Sequence, residues 1–193
     1  MQATLILASA SPRRRALLGQ IGLQATVCPA QIDESVLPDE TPAAYVARLA
    51  QEKAAAVARR SPGRVVLAAD TAIAFAGQIL GKPASPEQAV TMLTALSGKS
   101  HDVLTGAAIV YDHQCHWKVV STRVRMRQLS GSQIRAYVAT GEPLDKAGAY
   151  GIQGLGAVLI AGIEGSYSNV VGLPLAETAD LLQQAGIDVL GQH

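Results

Sequence analysis

The stretch Val65-Val66-Leu67-Ala68-Ala69-Asp70-Thr71 most limits how this chain can fold. Its apolar part is long enough for a strand buried on both faces, and such a strand needs helices covering its sheet. The expected strand ends on Asp70. In open α/β sheets, ligands bind beyond the carboxyl ends of the strands, so an acid there is well placed to act. An aspartate ending a strand can also simply begin a turn. Here the chain stays apolar through Ala72-Ile73-Ala74-Phe75, and Ala76-Gly77-Gln78 has the composition of a hairpin turn. A carboxylate inside such a run is costly unless a metal or a cation partners it. That favours a functional Asp70.

A second organising stretch is Ala8-Ser9-Ala10-Ser11-Pro12-Arg13-Arg14-Arg15. It follows the apolar run Leu5–Ala8, which reads as a buried strand, and precedes Ala16, Leu17, Leu18 and Ile21 at helical spacing. Ser11 suits the N-cap and Pro12 the first helical position, where a missing N–H costs nothing. Free backbone N–H groups and the positive end of the helix dipole then lie beside two or three guanidinium groups. Two readings follow: a polyphosphate site, or a capped surface helix with solvated arginines.

Length and composition narrow the rest. The 193 residues suffice for one domain with a full core, and no linker divides them. Nearly half are apolar, mostly aliphatic with few aromatics, which suits helices on a sheet. Sixteen basic residues against fifteen acidic ones predict neither a nucleic-acid nor a membrane surface from bulk charge. Phosphate chemistry must come from local clusters. Cys28 and Cys115 have no metal or redox spacing and read as free thiols in a reducing compartment. No apolar run is long enough to cross a bilayer, and Arg13–Arg15 follow residues 1–8 where a signal sequence would have a cleavage site. The expected location is the cytoplasm.

Between these landmarks, residues 24–30 read as a strand, followed by an acidic turn, Gln31-Ile32-Asp33-Glu34-Ser35. Asp33 and Glu34 are either a hydrophilic loop or the source of one metal ligand. Thr41 and Pro42 open a helix with Tyr45, Leu49, Lys53 and Val57 on one face. By pattern, Lys53 snorkels along the core edge, while Arg48 and Glu52 form a solvated pair. Lys82 is extended because Pro83 follows it. Ser85 and Pro86 open a helix burying Ala89, Met92, Leu93 and Leu96 and stopping at Gly98.

Residues 103–111 and 117–126 predict two antiparallel strands around Asp112-His113-Gln114. Arg123, Arg125 and Arg127 alternate with Thr122, Val124 and Met126 and read as a charged solvent face. His113 and His116 lack further metal-type ligands and read as surface residues. A short helix over 130–140 precedes Asp145-Lys146-Ala147-Gly148-Ala149-Tyr150-Gly151-Ile152-Gln153-Gly154-Leu155-Gly156. Its glycines allow close backbone approach to a ligand, and its bulky Tyr150, Ile152 and Leu155 argue against a mobile linker. A strand over 158–163, a turn over 165–171 and a helix over 174–185 complete the expected order.

Ser9-Ala10-Ser11-Pro12-Arg13-Arg14, Glu52-Lys53-Ala54, Ala69-Asp70-Thr71, Gly81-Lys82-Pro83, Asp145-Lys146-Ala147-Gly148 and Val171-Gly172-Leu173-Pro174 together resemble the Maf family of nucleoside triphosphate pyrophosphatases. The ordered set spans essentially the whole chain as a single domain, 1–193. It implies an elongated, two-lobed α/β fold akin to inosine-triphosphate pyrophosphatases. In that fold a mixed central sheet is flanked by helices and the nucleotide lies in a cleft between the lobes. The resemblance also implies a homodimer, and hydrolysis to the monophosphate and pyrophosphate dependent on Mg²⁺ or Mn²⁺. Tyr150-Gly151-Ile152-Gln153-Gly154 resembles the branch acting on dTTP and UTP. An amide at Gln153 can match a thymine or uracil edge with both donor and acceptor.

By the same resemblance, Asp70 abstracts a proton, and Arg13, Thr71 and Gln153 bear on substrate choice. Asp70 and Glu34 would hold the metal, with Asp33 competing for Glu34's part. Ser9, Arg13, Arg14, Lys53 and Lys82 would hold the phosphates, which draws Lys53 into the pocket instead of along the surface. Two other classes stand beside hydrolysis. One is a nucleotide- or DNA-binding regulator of septum formation without catalysis, using the arginine clusters. The other is nucleotidyl transfer, with an acceptor other than water.

Overall fold

The computed structural model describes residues 5–191. Met1–Thr4 and Gln192–His193 lie outside them, and with them part of the apolar start weighed as a signal sequence and both ends of the expected 1–193 domain. The elements run β1 (Leu5–Leu7), α1 (Pro12–Gln20), β2 (Thr26–Val27), α2 (Pro42–Ala58), β3 (Val65–Phe75), β4 (Gln78–Leu80), α3 (Pro86–Leu96), β5 (Ser100–Tyr111), β6 (Gln114–Met126), α4 (Gly131–Ala139), β7 (Ile160–Glu164), α5 (Tyr167–Val171) and α6 (Leu175–Gln184). Seven strands form one sheet in the order β2-β1-β3-β5-β6-β7, with β4 also on β3. β1 runs parallel to β2 and β3, whereas β3–β4 and β6–β7 are antiparallel. The sheet is therefore mixed and the class α/β, as expected.

Capping chemistry sets where the helices begin. Ser11, Thr41, Ser85 and Ser130 each accept the N–H of the residue three positions on. Pro12, Pro42 and Pro86 follow the first three caps, and Gln133 closes a reciprocal capping box on α4. Two-residue turns close two hairpins. Ala76 and Gly77 (φ 50° and 78°) join β3 to β4, and Asp112 and His113 (φ 45° and 63°) join β5 to β6.

The principal difference concerns β3. It does not end at Asp70 but continues to Phe75, because Ile73, Ala74 and Phe75 pair with Leu80, Ile79 and Gln78. Asp70 still lies past the end of its parallel neighbour. β1 pairs only as far as Leu67, with a last bond from Ala8 N–H to the Leu67 carbonyl (2.7 Å) before the chain turns into Ser9–Ser11. The expected strand over 24–30 shrinks to Thr26–Val27. The expected turn over 165–171 contains α5, begun by Ser166 Oγ accepting the Asn169 N–H. β7 starts at Ile160, since Gly154–Leu159 coils as 3₁₀ turns.

The residues group into two compact units, Met1–Asp70 with Thr105–Val120 and Gly172–His193, and Thr71–Leu104 with Ser121–Val171. In the first, Ala50, Ala54 and Val57 of α2 pack on Ile6, Val66, Ala68 and Ala108. In the second, Leu93 and Leu96 of α3 and Ile134 and Val138 of α4 pack with Val103, Val124 and Met126. Cys28 and Cys115 are free thiols. Among the described residues, no helix is long and apolar enough to cross a membrane.

Candidate active site

The first unit gathers six of the singled-out side chains. α2 carries Lys53 on its inward face, four residues beyond the fully buried Leu49, so the lysine enters the interior with only 8 % of its surface exposed. It does not snorkel. Its Nζ lies 2.6 Å from Asp70 Oδ1 and 2.8 Å from Glu34 Oε1. Asp70 is itself 7 % exposed. An unpartnered carboxylate there would be strongly disfavoured, and the ammonium supplies the cation that the apolar run required.

Glu34 reaches this lysine because its turn is docked onto α2. Tyr45 Oη donates to the Glu34 carbonyl (3.0 Å), and Arg48 donates to the Ser35 carbonyl (3.0 Å). Arg48 is in turn clamped by Glu40, whose two oxygens accept from Nε and a terminal nitrogen at 2.7 and 2.8 Å. That fork–fork geometry holds the Glu40 carboxyl down at about 2. The solvated Arg48–Glu52 pair expected from helical spacing is the weaker contact, at 3.4 Å. Arg48's work is done by an acid outside the helix, which i,i+4 spacing does not reveal. Asp33, the competing acid, is exposed, and its Oδ1 accepts the Ser35 N–H and Oγ–H at 2.9 and 2.7 Å. Its carboxyl is lowered chiefly by those bonds, and it closes the turn that carries Glu34.

Arg14 completes the group. Its Nε donates to the Gly172 carbonyl (2.8 Å) and a terminal nitrogen to Ser9 Oγ (3.0 Å), so the guanidinium is fixed in orientation. Burial pulls its pKa down, while Asp70 and Glu34 push it up and Arg13 pulls it down again. The guanidiniums that begin α1 and the two carboxylates thus share one electrostatic neighbourhood. Burial, Asp70 and Glu34 raise the Tyr45 phenol to about 12. Ser9 also accepts the Ser11 N–H at 3.2 Å, shaping the turn before α1.

The remaining predicted residues belong to the second unit. Thr71 is half-buried and follows Asp70 in β3. Lys82 is exposed in the extended segment after β4, and that segment is tied down by Gly148 N–H donating to the Gly81 carbonyl at 3.0 Å. Gln153 is exposed, with extended backbone (φ −91°, ψ 161°), just before the 3₁₀ turns.

Glu34 and Asp70 are hard oxygen donors of the kind a divalent cation takes, although the oxygen of each that converges here is bonded by Lys53 Nζ. Among the described residues, no three His, Cys, Asp or Glu side chains converge. Mg²⁺ commonly takes one or two carboxylates and completes its shell with substrate phosphates and water.

Comparison with known proteins agrees with the motif reading. A family described as Maf-like protein matches residues 4–185. The dTTP/UTP pyrophosphatase of Myxococcus xanthus (strain DK1622) is 56 % identical over 186 residues, covering 96 % of this chain and 94 % of the relative. That of Moorella thermoacetica (strain ATCC 39073 / JCM 9320) is 55 % identical, covering 97 % of this chain and 98 % of the relative. Among solved structures, a HAM1 protein from Coxiella burnetii aligns with a TM-score of 0.48 at 16 % identity, over 95 % of this chain and 100 % of that one. On the family match and on full-length relatives more than half identical to it, the chain belongs to the Maf family.

Proposed function

We propose that this protein hydrolyses dTTP and UTP to the nucleoside monophosphate and pyrophosphate, acting as a single catalytic domain. The observation that carries this reading is the buried Lys53–Asp70 pair, joined by the exposed Glu34, beside the fixed Arg14 guanidinium. The names of the relatives supply the substrates.

In this mechanism a water oxygen attacks the α-phosphorus, the bond from that phosphorus to the bridging α–β oxygen breaks, and pyrophosphate leaves. Asp70 takes the water's proton on a carboxylate oxygen while Lys53 holds Oδ1 and keeps the group oriented. Glu34 and Asp70 would hold Mg²⁺ or Mn²⁺, which supplies Lewis-acid polarisation of the phosphate oxygens. Arg13, Arg14, Ser9 and the N–H groups opening α1 bind the β- and γ-phosphates and stabilise the departing pyrophosphate. Lys53 has three N–H donors, and the one beyond its two carboxylate bonds would reach a phosphate oxygen. Lys82 adds a further cation, while Thr71, Arg13 and Gln153 set the choice of base. The Gln153 carboxamide pairs with the pyrimidine edge as both donor and acceptor.

The same reading makes the protein a cytoplasmic homodimer, in keeping with its two free thiols. A panel of nucleoside triphosphates with Mg²⁺ or Mn²⁺, scored for pyrophosphate and monophosphate, tests it. dTTP and UTP should give the two products in equal amounts. Release of inorganic phosphate, or tight salt-dependent DNA binding without pyrophosphate release, would contradict it.

A further inference from the structure

Residues 151–156, which carry Gln153, are gathered at both ends by a pair of side chains outside the segment. Glu142 Oε2 accepts the Leu155 N–H at 3.0 Å, and its Oε1 accepts the Gly156 N–H at 2.9 Å. Tyr137, buried on α4, donates its hydroxyl to the same Oε1 at 3.0 Å and accepts the Gly151 N–H at 3.4 Å. One carboxylate and one phenol therefore tie the entry of the segment to its exit. The backbone closes just as tightly. A Cβ on Gly156 would lie 2.2 Å from the Gly151 carbonyl oxygen and 2.7 Å from Tyr137 Oη, so only glycine fits. Lys146 packs its stem against Gly151 and donates to the Glu142 carbonyl at 2.6 Å, fixing Glu142 from behind. Between these anchors Gln153 stands exposed, its side chain making no cap to the following turn.

The mechanism leaves Glu142 without a part, yet its carboxylate is half-buried and accepts three hydrogen bonds, two from this segment and one from Tyr137 on α4. Burial alone raises its pKa, and the Gly156 and Leu155 N–H groups with the Tyr137 hydroxyl outweigh that and hold it below the usual carboxylate range. Resting on the reading of Gln153 as the base-selecting residue, we propose that Glu142, with Tyr137, is a positioning residue that presents the Gln153 carboxamide in a fixed pose for the pyrimidine edge. An exposed glycine-rich loop would otherwise have to be ordered when substrate binds, and preorganising it lowers that cost and sharpens discrimination. Hydrogen-bond readout of a base needs its donor and acceptor held in place. A carboxylate bonded to two successive N–H groups does that for the residues just after Gln153.

The test compares kcat and KM for dTTP and dGTP in the wild type, Gln153→Ala, Glu142→Ala, Glu142→Gln, Tyr137→Phe and the double variant E142A/Q153A. Both Q153A and E142A should lower the dTTP-to-dGTP ratio of kcat/KM by about ten-fold or more, largely through KM for dTTP. The double variant should fall no further than Q153A. E142Q and Y137F, which alter the clamp while keeping its shape, should lose part of the ratio and speed amide exchange at Leu155 and Gly156. An unchanged ratio in E142A, E142Q and Y137F beside a lowered one in Q153A would overturn the positioning role and leave Gln153's role standing. An unchanged ratio in Q153A would overturn the reading of Gln153, and the positioning role with it. If E142A does not fold, E142Q and Y137F decide: normal selectivity with unaltered Leu155 and Gly156 exchange overturns the proposal.

Discussion

Lys53 Nζ lies 2.6 Å from Asp70 Oδ1, and both side chains are about nine-tenths buried. A lysine in α2 and an aspartate in the middle of β3 thus form an interior ion pair, extended by Glu34 to a three-membered group. Removing one partner strands the other charge away from water. Lys53→Met should lower stability by about 3–5 kcal/mol. The double variant K53M/D70N, which removes both charges of the pair, should recover a substantial part of that loss. Urea denaturation of the four forms checks the cycle, and additive losses would contradict the coupling.

The two adjacent acids of the 31–35 turn should differ in their effect on metal use. Glu34→Gln should raise the Mg²⁺ or Mn²⁺ concentration giving half-maximal rate by about ten-fold or more, as for loss of a direct ligand. Asp33→Asn should raise it far less, since Asp33 Oδ1 is taken up by the Ser35 N–H and hydroxyl. Arg48→Met, which frees the turn from α2, should fall between them. Metal titrations of the three variants decide the order.

Gly106 in β5 lies so close to α2 that a Cβ would sit 2.2 Å from the Val46 carbonyl oxygen, a contact with helix backbone that no rotamer can relieve. Gly106→Ala should cost about 2–3 kcal/mol and displace the helix bearing Lys53. Both the thermal midpoint and kcat should drop. A variant with wild-type values would show that α2 does not depend on this approach.

His101 is buried, its Nε2 2.6 Å from Tyr150 Oη, and burial lowers its pKa from 6.5 to about 4 against the opposing pull of Asp102. Between those values the unfolded chain binds the proton and the folded chain does not. The contribution is therefore whole above pH 6.5 and lost as the pH falls to 4, on the order of 3 kcal/mol in all. Denaturation from pH 8 to pH 4 should show wild-type stability declining more steeply than that of His101→Gln. Parallel curves would contradict it.

Local signals carried far in this chain, and distant pairings did not. Serine and threonine caps followed by proline marked the starts of three helices because the bonds they make span three residues. Asp70 stood out because a carboxylate within an apolar run demands a partner, although its place inside β3 depended on pairing with β4. Helical spacing put Lys53 on the inward face but could not show whether its ammonium turned in or out. That was decided by Glu34 and Asp70, nineteen residues back and seventeen ahead. Arg48's clamp on Glu40 and Glu142's grip on Leu155 and Gly156 have no periodic signature, since each joins a loop to another element. The helix α5 was missed for a related reason: its five residues are too few to show a 3.6-residue repeat.

The most direct test of the account is the turnover of dTTP by Asp70→Asn beside its affinity for the same nucleotide. Asparagine keeps the shape and a hydrogen-bonding oxygen near Lys53 but cannot accept the water's proton at neutral pH. Pyrophosphate release should fall by about 10²-fold or more while nucleotide binding stays measurable. Turnover within a few-fold of the wild type would remove Asp70 from the base role.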